Sequence, residues 1–325
     1  MQIKLWQFAL ALAVFASIEH TRASSWIQGR GTLQLTTNLE NRQVSQEFLE
    51  QLVQQSQRAA TEFTRPYAER RGIETLDRNA EVVLVRVPLN QLSDALATKA
   101  VQSLRNVLET EIQIYRNSLF TYQLVGHDWS LMTEGFRYAQ TSVKTPNGLI
   151  ELSDQLKQPI IRFLVSDTGG KIGYDLIENG KLVEYFRFFE YEEDDSPDST
   201  KYGIQPKRFV WFTPPEERDE DEDPDQPSQT AYFWSSRRQL TDKELQQGYD
   251  LVYRLFHEYD AYDPAIDGDY LIGYNGNIDY TKPQRVQNSG FRLGGIYENR
   301  DGQLHPKEVG SIPELMRVDY FVFRE

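Results

Sequence analysis

Four histidines and no cysteine set the limits of the chemistry open to this chain: His20, His127, His257 and His305. Without cysteine there are no thiol nucleophiles, thiolate metal sites or disulfides. His127 has the most suggestive neighbours, Asp128, Trp129 and Ser130. A histidine beside a carboxylate can move protons as a general acid or base, so His127 and Asp128 are the catalytic candidates. Neighbours along a strand face opposite ways, however, and a polar turn that sends Trp129 into a core accounts for the same residues. His257 lies at the edge of an apolar helical stripe, and His305 precedes Pro306 without a local partner.

Acid oxygens offer a second chemistry. Asp260, Asp263, Asp267, Asp269 and Asp279 surround a glycine-containing loop. Calcium takes oxygen ligands in such places, which makes Asp263, Asp267 and Asp269 metal candidates. The helix–loop–helix calcium spacing fails, because Ala265 and Tyr274 fall where ligands belong. Ser166–Lys171 has the glycines of a phosphate loop without its spacing, and it leads into a hairpin where phosphate sites need a helix N-terminus. Asp167-Thr168-Gly169 lacks the second acidic loop that a carboxylate-pair protease requires. The serine-hydrolase elbow, the zinc-protease helix motif and the dinucleotide fingerprint do not occur. No cofactor is expected.

Charge points toward binding. The net charge is −14, and residues 186–229 hold 14 acids against 5 bases, a net of −9. Such a surface repels phosphate backbones, so nucleic acid is not an expected partner. The acids fall in two tracts, 190–198 and 216–225, both rich in Asp, Glu and Pro, whose like charges repel and resist burial. Glu216, Glu217, Asp219, Glu220, Asp221, Glu222 and Asp223 are the candidate binding residues, and a basic protein is the expected partner.

The elements that must position these residues follow from periodicity. Residues 32–39 alternate as a short strand. Val44, Phe48, Leu52, Ala59, Ala60 and Phe63 share one helical face. Glu81–Val87 reads as a buried strand closed by Pro88. Leu92, Ala95, Leu96, Leu104, Val107 and Leu108 mark a second helix. Strands are expected at 119–124, around Trp129–Leu131, at 160–165, at 209–212 and at 317–323. Asn179-Gly180 between two strand-like runs is a type I′ hairpin signal, repeated at Asn275-Gly276 and Asp301-Gly302. Thr241-Asp-Lys-Glu244 is a capping box and opens a helix expected to reach Tyr262.

Several fragments in a fixed order resemble a family of uncharacterised bacterial proteins. They are Tyr122–Ser130, Ser166–Gly169 with Gly173-Tyr174 and its hairpin, Trp234–Arg238, Phe256–Tyr262 and Arg317–Tyr320. The resemblance covers residues 118–325. It implies a domain boundary near residue 115 and carries no activity with it.

The N-terminus has the layout of a secretory signal: Lys4, an apolar run from Leu5 to Ile18, then small Ala23 and Ser25 before Trp26. The run is shorter than the ~20 residues of a membrane span. The expected organisation is a signal peptide over 1–25, a mixed α/β unit over 26–115, and a mainly antiparallel α+β domain over 116–325. Export follows from the signal; a buried first helix in a cytoplasmic protein is the alternative. The leading function is a non-enzymatic interaction protein, and the alternative is a hydrolase using His127 or scattered carboxylates.

Overall fold

The computed structural model describes residues 66–324, except 75, 77, 137–140, 167, 191–197, 213–228, 265, 267, 273–277, 289–296, 301–302 and 307–313. The signal segment, the strand expected at 32–39, the helix expected at 44–63 and the Asn275-Gly276 turn lie outside the described residues.

After a 3-10 turn at Tyr67–Glu69, the chain forms β1 (Gly72–Ile73), β2 (Asn79–Val85), α1 (Leu89–Ala97), β3 (Gln102–Leu104), β4 (Glu111–Ile112), β5 (Ser118–Leu124) and β6 (Ser130–Glu134). A second 3-10 turn, Ser142–Lys144, leads into α2 (Pro146–Leu156). Then come β7 (Ile160–Ser166), β8 (Lys171–Glu178), β9 (Lys181–Phe189), a 3-10 turn at Asp198–Tyr202, β10 (Lys207–Trp211) and β11 (Gln229–Ser235). The last third holds α3 (Asp242–Gln246), α4 (Gly248–Glu258), β12 (Tyr262–Asp263), α5 (Gly268–Leu271), β13 (Gln284–Arg285), β14 (Tyr297–Arg300), β15 (Gln303–Pro306) and β16 (Leu315–Val322).

Among the described residues, one sheet carries ten strands in the order β10-β11-β9-β8-β7-β2-β6-β5-β16-β3. Every neighbouring pair in it is antiparallel. The protein is α+β, dominated by this sheet. Strands buried on both faces read as continuous apolar runs, and β2 and β7 do so because each face has its own cover. Val82, Leu84, Ile161 and Phe163 belong to the larger core, with Leu251, Val252, Leu255 and Phe256 of α4. Val83, Val85 and Ile160 belong to the second core, with Leu92 and Leu96 of α1 and Leu149 and Leu152 of α2. The sheet is thus the middle of three layers.

The turn between β8 and β9 is the one the sequence predicts. Asn179 and Gly180 take φ of 49° and 71°, the two positive values of a type I′ turn. β14 and β15 also pair as a hairpin, with Arg300 opposite Gln303.

Three expectations need correction. Residues Tyr67–Glu325 form one compact unit, and the boundary expected near 115 does not divide it, because β2 lies between β7 and β6 in the middle of the sheet. The predicted second helix stops at Ala97; Leu104 instead sits on edge strand β3, opposite Tyr320 of β16. The capped helix has its box, with the Thr241 hydroxyl accepting from Glu244 N and the Glu244 carboxylate from Thr241 N. It then breaks at Gln247, and α4 ends at Glu258, where Asp260 at φ 52° and the bond from Ala261 N to Phe256 O close a left-handed C-terminal turn.

Candidate functional site

That turn delivers the chain to β12, which runs parallel to β1, with Gly72 opposite Tyr262 and Ile73 opposite Asp263. The two short strands gather a buried polar junction. His127, in the tight connection from β5 to β6, stacks on Tyr262 with ring centroids 5.2 Å apart. Its Nε2 lies 2.6 Å from Tyr67 O. A carbonyl only accepts, so Nε2 carries the proton and donates it. Burial, and then the Arg71 cation, push the imidazole down to about 4, so His127 is neutral at pH 7. Asp128 is exposed, and its charge is the smallest of the three influences on the ring. Of the two catalytic candidates, the His127 ring is thus tied to backbone and to Tyr262, and Asp128 faces solvent.

Glu74 follows β1 and is the unusual group of this junction. Burial pushes its carboxyl up to about 8, with Asp263 adding to the effect; Arg70 at 3.5 Å and the nearby Tyr262 hydroxyl offset only part of it. Arg70 also lies over the Tyr67 ring, 3.9 Å from its centroid. Asp263 is bonded to Arg78, both side chains fully buried. This removes Asp263 from the calcium candidates, since a guanidinium already neutralises it. Asp267 and the side chain of Asp269 lie outside the described residues, as do all seven candidate binding acids from Glu216 to Asp223. Among the described residues no group of three or more His, Asp or Glu side chains could hold a metal ion.

A second polar cluster crosses the opposite sheet face. Asp175 on β8 accepts from Arg162 Nη1 at 3.0 Å, Arg187 Nη2 at 2.7 Å and Tyr202 OH at 2.6 Å. Arg162 reaches on to Glu81 at 2.8 Å, and Lys144 joins Glu81 to Glu134. Burial would raise the Glu81 carboxyl, but Lys144 and Arg162 together hold it below its ordinary value. Gly173 makes room for this ladder. A Cβ there would meet Phe186 O at 2.4 Å and Arg187 Cδ at 2.7 Å, so only glycine lets the arginine lie across β8. Signs alternate from β9 to β2 through Arg187, Asp175, Arg162 and Glu81, and Lys144 of the 3-10 turn then sits between the two acids Glu81 and Glu134, so each carboxylate has a cation.

On the α4 face, Arg238 grips Glu184 with two bonds of 2.8 and 2.5 Å, and Tyr174 OH also bonds Glu184. Arg237 bonds Glu178, and Tyr259 OH donates to Glu178 at 2.7 Å. Trp129 Nε1 donates to Tyr259 O at 3.0 Å. On β16, Asp319 accepts from Ser93 Oγ at 2.7 Å and Asn106 N at 2.8 Å. Some of the sequence fragments singled out above thus meet at polar bonds, Trp129 with Tyr259 and Arg238 with Tyr174. Composition and motif reading missed Glu74, Asp175 and Glu184; the signal available for the last two was a charge set inside an otherwise apolar strand.

No family model matches the chain, and no curated protein or solved structure matches it.

Proposed function

We propose that this chain is a non-catalytic binding protein whose acidic tracts draw in a basic protein partner. The observation that carries the reading is the concentration of −9 within residues 186–229. The strands bounding the tracts support it: β9 and β10 both end, and β11 begins, at the same end of the sheet. Elsewhere Asp175, Glu184, Asp263 and Asp319 are engaged by cations or donors inside the fold. A concentrated field of one sign accelerates encounter with the other and weakens with salt. The test is a binding titration with a lysine-rich peptide at low and high salt. The wild type binds at low salt only. A variant with Glu216, Glu217, Asp219, Glu220, Asp221, Glu222 and Asp223 changed to Gln or Asn loses binding while its melting temperature stays put. Binding that survives those changes rejects the reading.

One observation favours the hydrolase alternative. A buried carboxyl near 8 beside Tyr262, itself stacked on a neutral histidine, is the kind of shifted group found where protons are moved. Hydrolysis of chromogenic esters or glycosides that vanishes in Glu74→Gln supports that reading; a panel with no turnover by the wild type removes it.

A further inference from the structure

Residues 67–74 cross the buried polar junction as a strap. Gly72 N donates to Ala261 O at 2.9 Å, and Glu74 N donates to Asp263 O at 3.0 Å. Tyr67 O accepts from His127 Nε2 at 2.6 Å. These bonds reach the connection from β5 to β6 and the chain that leaves α4 for β12. Ile73 is the strap's one aliphatic side chain in the larger core, whereas Ala68 and Glu69 are exposed. A segment that buries so little apolar surface opens locally at a lower cost than the fold as a whole.

What the strap covers is sensitive to charge. Glu74 carries its carboxyl into the junction, with 7% of the side chain exposed. Arg70 of the strap stands 3.5 Å from it; Tyr262 and Asp263 of β12 and Arg78, just before β2, also act on it. On the other flank His127 lies against Tyr262, and the charges that act on it are Arg71 of the strap and its neighbour Asp128. Arg71 in turn reaches Asp260, and Tyr253 and His257 of α4 face Gly72. A charge on Glu74 meets the like charge of Asp263, and a charge on His127 meets that of Arg71. Under the strap either charge is stripped of water, and lifting the strap hydrates it again. We infer that residues 67–74 form a proton-sensitive strap, which closes the junction while Glu74 and His127 are uncharged and lifts when either takes on charge. The device stands apart from the binding role proposed above.

Hydrogen–deuterium exchange of the full chain, corrected for the intrinsic pH dependence of amide exchange, tests it. Peptides spanning 67–74 report the strap, and peptides from β7 and β8 report global unfolding. The strap exchanges faster than the sheet at every pH. Closed, Glu74 titrates at about 8 and His127 at about 4; lifted, they return to 4.5 and 6.5. Each group changes the opening constant about tenfold per pH unit between its two values. The two effects cancel between pH 4.5 and 6.5, and from 6.5 to 8 opening rises roughly thirtyfold. Glu74→Gln removes that rise. His127→Gln, whose side-chain amide can still donate to Tyr67 O, replaces the flat range with a steady climb from pH 4.5. Equal protection of strap and sheet peptides means that the segment opens only with the whole fold, which overturns the inference. A rise above pH 6.5 that survives in Glu74→Gln overturns it too. So does a wild-type strap with no rise from pH 6.5 to 8, whatever the variants do.

Discussion

Glu74 and His127 both meet Tyr262, and burial keeps both neutral near pH 7 by shifts of opposite sign. Glu74 rises from 4.5 to about 8, so the folded state binds its proton more tightly than the unfolded chain. Its contribution to stability is full below 4.5 and is lost as pH rises through about 8. His127 falls from 6.5 to about 4, so its contribution is full above 6.5 and is lost as pH falls through about 4. Melting temperature against pH, compared with single variants, separates them. The wild type loses stability relative to Glu74→Gln from pH 4.5 to 8, and gains it relative to His127→Gln from pH 4 to 6.5. Parallel curves would remove the shifted groups from the account. Asp175 makes a different prediction. Asp175→Ala leaves Arg162 and Arg187 buried without their shared carboxylate, a loss of about 3–5 kcal/mol by analogy with other broken buried pairs; urea unfolding measures it, and a change below 1 kcal/mol, roughly a surface-pair value, refutes the ladder. Residue by residue, the sequence was a poor guide to this chemistry. His127 drew attention as a catalytic residue, yet what sets its state is Tyr67 and Tyr262, 60 and 135 positions away.

Elements were far more legible, because local rules decided them. The Asn179-Gly180 turn, the Thr241–Glu244 box and the strands at 160–166, 207–211 and 315–322 all lie where pattern places them. The misplaced helix over 92–108 shows the limit. Its stripe merges α1 with Leu104 and Val107, which face a core through β3 and a turn at Asn106 with φ 53°. Spacing alone cannot say that the chain changed period between them. The hairpin supplies the test at this scale. Gly180 holds φ 71°, and a Cβ there would meet Asp154 Cβ on α2 at 2.7 Å. Gly180→Ala therefore strains the turn and pushes on the helix at once, a loss of more than about 1 kcal/mol. Asn179→Gly, which keeps the positive φ available, costs less; equal losses in chemical denaturation would mean that the close approach to α2 carries no weight.

At the scale of the molecule, sequence order misleads about what belongs together. The change of texture near residue 115 and the family-like fragments after it both suggest a self-contained 116–325 domain. The sheet is built otherwise. β2 takes seven register positions against β7, from Asn79–Ser166 to Val85–Ile160, and three against β6. Removing it separates the sheet into β10-β11-β9-β8-β7 and β6-β5-β16-β3, with two central edges left open. It also removes Val82 and Leu84 from the larger core, Val83 and Val85 from the second, and Glu81 from the charge ladder. Arg78, the partner of Asp263, is lost with it. Four fully buried aliphatic side chains amount to roughly 6–12 kcal/mol of burial, comparable to the whole stability of a typical domain. Residues 116–325 expressed alone should therefore fail to unfold cooperatively and should aggregate through the exposed strand edges. The same chain begun at Tyr67 keeps every strand of the sheet and should show one sharp thermal transition. Calorimetry on the two truncations decides the matter, and a cooperative transition in the shorter one would restore the boundary near 115.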